Sequence, residues 1–504
     1  MRYSILLLCF ICLLSCRETD KKSTKSENMI VDSTQVKTGE QYRPAFHFTP
    51  KEKWMNDPNG MVYYQGEYHL FYQYYPDDNV WGPMHWGHAV SKDMIHWEHL
   101  PIALYPDKLG YIFSGSCVID WGNTTGFGSK ENPPMVAIFT YHDPEGEKAE
   151  TIDFQTQGIA YSLDKGRTWT KYEGNPVISN PGIKDFRDPK VIWHKSTQKW
   201  VMSLAVKDHI SFYSSKDLKN WKLESDFGEN VGAHGGVWEC PDLFLLKDQN
   251  GNEKWVLLVS INPNGPQGGS ATQYFVGDFD GKIFTPDHNE IKWIDYGADN
   301  YAGVTFSDIP AEDGRRLFIG WMSNWQYAQV VPTYTWRSAM TIPRELILKK
   351  DQGDYSVISK PVKELESIIG TPEVVQTEQY MSDNTSYCIN FDLVQEKGMI
   401  SLYNNLGEVF SIDIHGDQVT TDRTKSGDSS FSEEFAKVHK AAKLQNKASN
   451  VKLFVDASSV ELFINDGELV MTELMFPTEP LLKIAITGAD QYEVSEVKSI
   501  WNQK

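Results

Sequence analysis

The chain has 504 residues and a formal net charge of -20, from 48 Lys+Arg against 68 Asp+Glu. That length accommodates two or more domains with sizeable cores. So acidic a chain repels phosphate backbones, which excludes nucleic acid as a partner. Three cysteines lie in the N-terminal segment. The other three, Cys117, Cys240 and Cys388, lie far apart without metal-type spacing and read as isolated buried thiols rather than a disulfide framework.

The N-terminus begins with a short basic start, Met1-Arg2, and an apolar run from Ile5 to Leu14. The run is too short to span a bilayer as a mature helix. It leads into Leu13-Leu14-Ser15-Cys16, which resembles a bacterial lipobox. Residues 1–16 are therefore expected to be a lipoprotein signal peptide, with lipidation at Cys16. Residues 17–40 are rich in Lys, Ser, Thr, Glu and Asp and read as a flexible tether. Membrane contact is expected only through the lipid anchor. The expected location is the bacterial cell envelope, either the periplasm or the outer-membrane surface.

Residues 41–346 read as all-β, with short strand signals between Gly, Pro, Asn and Asp clusters. One layout recurs. Asp57-Pro58 precedes the apolar run Met61-Val62-Tyr63-Tyr64, and Asp188-Pro189 precedes Val191-Ile192-Trp193. Glu239-Cys240-Pro241 precedes Leu243-Phe244-Leu245. Proline cannot donate to a ladder, so Pro58 suits a strand's first residue, with Asp57 at the strand's mouth. A second repeat pairs Ser91-Lys92-Asp93 with Trp97, Ser162-Leu163-Asp164 with Trp169, and Ser215-Lys216-Asp217 with Trp221. It reads as a turn between outer strands of one repeating unit. Phe113-Ser114-Gly115-Ser116 and Asp299-Asn300-Tyr301-Ala302-Gly303 supply two more unit starts. Five units of about four strands predict a five-bladed β-propeller, in which the starts of the inner strands ring one end of the channel.

Residues 347–375 mix Lys, Asp, Pro and Glu and read as a linker with a short helix near Pro361–Ile369. Alternation resumes over residues 376–504, as in Tyr387–Leu393, Val451–Asp456 and Val460–Asn465, with a hairpin signal at Asn465-Asp466-Gly467-Glu468. This predicts a C-terminal β-sandwich. The polar stretch Thr420–Asp428 reads as a loop.

Three acids at comparable places in a ring would converge. Crowded carboxyls repel, so one is expected to keep its proton at neutral pH. A protonated acid beside an ionised carboxylate is what glycoside cleavage requires. Each acid taken alone reads equally well as turn punctuation. Cys240 has no partnered histidine motif and does not read as a nucleophile. His85, His88, His96 and His99 read as core or surface histidines rather than metal ligands.

With these motifs in place the sequence resembles glycoside hydrolase family 32, the fructan hydrolases that include invertases, inulinases and levanases. Six blocks match in order: Trp54–Gly60, Phe71–Tyr74, Phe113–Ser116, Phe186–Pro189, Trp238–Asp242 and Gly320–Trp325. The resemblance implies a propeller followed by a β-sandwich, in agreement with the repeats. It implies Asp57 as nucleophile, Glu239 as general acid and then base, and Asp188 with neighbouring Arg187 as the group that stabilises the transition state. Asn56, Gln73, Trp81, Phe113, Ser114 and Trp325 would line the sugar pocket. Glu239 would have its pKa raised by ionised Asp57 and by enclosure.

The implied substrates are fructans or fructo-oligosaccharides, with no cofactor and no metal. An exo-acting β-fructofuranosidase leads. An endo-acting levanase and a non-catalytic carbohydrate-binding lipoprotein are the alternatives. A fructosyltransferase and a related propeller hydrolase of arabinose or xylose polymers also stay open. Linkage preference and oligomeric state are left open.

Overall fold

The computed structural model describes residues 40–501 except 442, 443 and 445. The expected signal peptide, Cys16 and nearly all of the tether lie outside the described residues. Seven antiparallel-rich sheets make up the described chain. Five of them are the blades of a propeller, and the last two are the halves of a β-sandwich.

Each blade begins with an inner strand. These are Lys53–Tyr64, Tyr111–Ile119, Phe186–His194, Val237–Lys247 and Tyr301–Thr305, in blades I to V. The inner strands adjoin one another around the ring. Meandering hairpins carry each blade outward, as in blade III, where Phe186–His194, Lys199–Val206, His209–Ser215 and Trp221–Phe227 lie in order. The ring is closed where Trp336 and Arg337 run parallel to Lys53 and Trp54. A further parallel bridge joins Val62 to Ser307. The inner strands are near-continuously buried, as expected of strands packed on both faces.

All five inner strands carry a register shift near the end that bears the unit signature. Pro58 is therefore not a first residue. It sits inside Lys53–Tyr64, between the shifts at Met55/Pro58 and Asn59/Val62. A bulge is the other place where a strand tolerates a proline. The recurrent Ser-x-Asp signature does join the two outer strands of blades I, II and III. Ser91 donates to Asp93 at 3.0 Å, Ser162 to Asp164 at 2.7 Å and Ser215 to Asp217 at 3.1 Å.

Two expectations are corrected. Residues 347–361 are not linker, because Arg344–Asp351 and Asp354–Pro361 pair with each other and complete blade V. Leu346 and Leu348 point into the core while the intervening residues are partly exposed, so an outer strand resembles a polar connector in composition. A short 3-10 helix, Lys363–Ser367, follows, and the sandwich begins with Glu373–Val375. Thr420–Asp428 is not a loop through its length, since Gln418–Lys425 is a strand. Its inward residues include Thr421 and Arg423, polar groups buried with partners, which is why no apolar alternation is visible.

The sandwich has two six-stranded sheets. One contains Tyr387–Asp392, Asn450–Asp456 and Ser459–Ile464; the other contains Lys397–Tyr403, Val409–His415 and Gln418–Lys425. Apolar side chains of both sheets, such as Ile389, Leu453, Ile400 and Ile412, form one core. Cys117, Cys240 and Cys388 are unpaired and buried.

Candidate active site

The bulges aim the polar side chains of four blades at one end of the channel. In blade I, Asp57 accepts from Asn56 Nδ2 at 2.9 Å on Oδ1 and from Ser114 Oγ of blade II at 2.7 Å on Oδ2. In blade III, Asp188 adopts a left-handed backbone (φ 64°), and its amide donates to Thr140 Oγ1 at 3.0 Å. In blade IV, Cys240 is likewise left-handed (φ 45°) and its amide donates to Asp188 Oδ2 at 3.1 Å. The Cys240 sulfur lies 3.7 Å from Asp57 Oδ2 and 3.6 Å from Asp188 Oδ2. Non-glycine residues at positive φ are uncommon and cluster where strain serves a site.

Glu239, next to Cys240, receives Arg187 Nε at 3.1 Å and an Arg187 terminal nitrogen at 2.9 Å, both on Oε1. The Tyr301 hydroxyl of blade V donates to its Oε2. The other terminal nitrogen of Arg187 is held by Asp185 Oδ1 at 2.6 Å. Asp57, Asp188 and Glu239 thus meet around one residue, Cys240, although they are spread through the sequence.

Burial raises the pKa of Asp57, and the charge of Glu239 adds to the rise, while the hydrogen bonds from Ser114 and Asn56 oppose it. Asp188 is pushed up to about 7 by burial against the pull of Arg187, with Glu239 and Asp57 pushing further. The two aspartates that flank Cys240 are thus both raised. The Cys240 thiol is held well above its ordinary value by burial and by all three acids. It is a neutral S–H group between carboxylates, not a nucleophile.

The remaining residues singled out in the sequence surround this centre. Asn56 also accepts from Trp54 Nε1 at 2.7 Å. Trp325 stacks on Trp54 with centroids 5.9 Å apart, and Trp81 meets Phe113 edge-on at 6.0 Å. Phe113 in turn stacks on His142 at 4.2 Å. Trp81, Phe113 and Trp325 are all partly exposed, so ring area remains open to a ligand. Gln73 is buried, and its amide nitrogen donates to Asn59 at 2.8 Å and to the Ile112 carbonyl at 3.1 Å. It braces blade I against blade II. His85, His88, His96 and His99 go to separate partners: the Pro83 carbonyl, His69 and Phe71, Asp93, and Phe48 with Trp501.

Sequence reasoning missed Tyr301, Asn59, Asp185 and Thr140. For Tyr301 a signal existed, since it stands at the start of the fifth unit, in the place Glu239 holds in the fourth. The other three carry no motif of their own.

The chain matches the family model for the glycosyl hydrolases family 32 N-terminal domain over residues 47–361 and that for the family 32 C terminal over residues 365–501. It is 52% identical to a levanase of Bacillus subtilis over 490 residues, covering 92% of this chain and 71% of that protein. It is 40% identical to an extracellular exo-inulinase of Aspergillus niger, covering 92% of this chain and 95% of that one. The crystal structure of exo-inulinase from Aspergillus awamori superposes with a TM-score of 0.83 at 37% identity, covering 91% of this chain and 99% of that one.

Proposed function

The chain belongs to glycosyl hydrolase family 32, and from that premise we propose an exo-acting β-fructofuranosidase that releases terminal fructose from β-fructans and sucrose-type ends with retention. The observation that carries the proposal is the convergence of Asp57 and Asp188 on the Cys240 sulfur, with Glu239 the adjacent residue. Retention requires a nucleophile and an acid close enough to serve one sugar ring.

In the first half-reaction an Asp57 oxygen attacks C2 of the terminal fructosyl unit. The bond from C2 to the leaving oxygen breaks, and Glu239 gives that oxygen its proton. In the second half Glu239, now ionised, takes a proton from water. The water oxygen attacks C2, and the ester to Asp57 breaks to return the carboxylate. Asp188 accepts hydrogen bonds from ring hydroxyls and stabilises the positive charge that develops on the sugar. Arg187 holds the Glu239 carboxyl in place through two nitrogens on Oε1. Burial raises Asp57, and it raises Asp188 to about 7, so Asp188 shares a proton with solvent near neutral pH. Ser114 and Asn56 fix the Asp57 carboxylate, while Trp81, Phe113 and Trp325 offer faces to the fructosyl ring.

Replacement of either reacting group tests this. Asp57→Asn and Glu239→Gln should each lower fructose release from levan, inulin and sucrose by at least about 10³-fold, with the melting temperature preserved. Turnover near the parent's in either variant rejects the assignment. Fructose as the sole product from levan supports exo action, whereas a ladder of oligomers assigns the endo alternative. A polymeric substrate is met outside the cytoplasm, which fits an envelope lipoprotein held at Cys16. Palmitate labelling should be lost in Cys16→Ser.

A further inference from the structure

The inner strands that carry the acids run on to the opposite mouth of the channel. There Lys190, Asp242 and Arg316 help to line a cavity of about 710 Å³. A second cavity, of about 610 Å³, shares Ile192, Trp193, Lys195 and Arg316 with the first, so the two form one elongated groove. Either half is large enough for a small ligand, and together they suit a chain.

The back of the groove has unused hydrogen-bonding capacity. Asp242 is fully buried; its Oδ2 accepts from the Thr305 amide at 2.6 Å and faces Lys190 Nζ at 3.1 Å, but its Oδ1 has no partner. Arg316, which lines both cavities, has its Nε unpaired as well. Buried polar atoms left in that state are costly unless a ligand or water meets them. The front offers two open indoles, Trp121 at 58% exposure and Trp193 at 41%. Both are held in place. Trp121 Nε1 donates to Asp308 Oδ1 at 2.8 Å, and Trp193 packs edge-on against Trp200 at 5.0 Å. Charge is nearly balanced, with Lys190, Lys195, Lys247 and Arg316 against Asp242, Glu253 and Asp308, which favours an uncharged ligand. Rigid aromatic faces in front of mixed donors and acceptors match an uncharged polyhydroxyl chain.

We infer that this groove is a second carbohydrate-binding site, which holds a fructan chain away from the catalytic centre. The choice of fructan rests on the function proposed above; the groove itself does not. Affinity electrophoresis in levan-containing native gels reads the binding, with the parent in the Asp57→Asn background so that the polymer survives. Trp121→Ala and Trp193→Ala in that background should each lower the retardation by at least about threefold. In the active enzyme the same variants should raise KM for levan with kcat unchanged and leave sucrose turnover at the parent's value, which also reports the fold. Both indoles are surface groups, and if one variant misfolds the other decides. Retardation equal to the parent's, for a substitution that leaves sucrose turnover intact in the active enzyme, overturns the groove as a fructan site. Loss of sucrose and levan hydrolysis from the parent itself would instead count against the proposed function.

Discussion

Arg187 touches the site on two sides. Its guanidinium holds Glu239 Oε1 through two nitrogens, and its charge is the strongest influence opposing the burial of Asp188. Its remaining terminal nitrogen is fixed by Asp185, so the group cannot swing away without breaking a second ion pair. Removing the charge has a definite sign. Asp188 already ionises only at about 7, and without Arg187 it ionises higher still. Arg187→Gln should therefore move the acidic limb of the kcat/KM–pH profile to higher pH, besides lowering its maximum by about 10²-fold. A lower maximum with the limb unmoved would show Arg187 acting on substrate alone and not through Asp188. The acids, Asn56, Ser114 and Arg187 were all readable because each stands in or beside a distinctive motif. The bonds from the Gln73 amide nitrogen to Asn59 and to the Ile112 carbonyl were not readable, because a motif fixes position in the chain, not which neighbour an amide bonds. Tyr301 was passed over although it opens the fifth unit, because a tyrosine in apolar surroundings looks like core until its hydroxyl is found on a carboxylate.

At the scale of elements, the bulged inner strand is the device that makes the site. A regular strand would send alternate side chains to opposite faces and bury the acids between blades. The extra residue re-aims Asp57, Ser114, Asp188 and Glu239 toward the channel mouth. Prolines 58, 189 and 241 stand at three of these bulges, so the sequence carried the signal while its reading placed the strand starts too late. The blade count was more openly written, because the Ser-x-Asp turn repeats its hydrogen bonds in blades I and III and keeps its Ser–Asp bond in blade II. Asp217 Oδ1 receives the amides of Lys219 at 3.0 Å and Asn220 at 2.8 Å, as Asp93 Oδ1 receives those of Ile95 at 2.9 Å and His96 at 2.8 Å. Leu218 and Met94 take left-handed backbone at the same place, φ 60° and 65°. The aspartate acts there as a cap for a strained turn. Asp217→Ala should lower the unfolding free energy by about 1–2 kcal/mol while leaving sucrose turnover unchanged at 25 °C. A denaturation midpoint equal to the parent's would mean the turn is held by strand pairing alone. The edges of the sandwich and blade V were hidden because their buried residues alternate with charged ones or are charged themselves.

For the whole molecule, the question is what keeps the sandwich on the propeller. The segment before blade V runs beside Leu469–Leu474, with Tyr296 donating to the Val470 carbonyl at 2.8 Å and Asp299 to that of Thr472 at 3.1 Å. Gly297 permits the approach, since a Cβ there would stand 2.2 Å from the Thr472 carbonyl oxygen. Buried ions then bridge the contact. Arg344 binds Asp295 at 2.9 Å and also Glu461, and Arg423 binds Asp299 at 2.5 Å and Glu473 at 3.3 Å. His47, from the segment leading into the first blade, is enclosed between two sandwich carboxylates, Asp456 at 2.8 Å and Glu461 at 2.9 Å. Burial lowers its pKa, but the two carboxylates outweigh that and raise it to about 9. Asp456 and Glu461 are in turn held below their ordinary values, against burial, by hydrogen bonds and charge from His47 and Arg344. A raised folded-state pKa means that the stabilisation by His47 is complete below about 6.5 and is lost as pH climbs through about 9. The lowered carboxylates act in the reverse direction: their contribution is present above the ordinary carboxyl range and is lost as pH falls through their depressed values. Asp188, an acid with a raised pKa, weakens the fold as pH rises from about 4 to about 7, so it adds nothing to a change above that. The His47 shift corresponds to about 3 kcal/mol. Melting followed from pH 7 to 9.5 should therefore show a fall in the parent that is absent in His47→Gln, which starts lower and stays level. Parallel melting curves for the two proteins across that range would mean that the imidazolium does not hold the propeller to the sandwich.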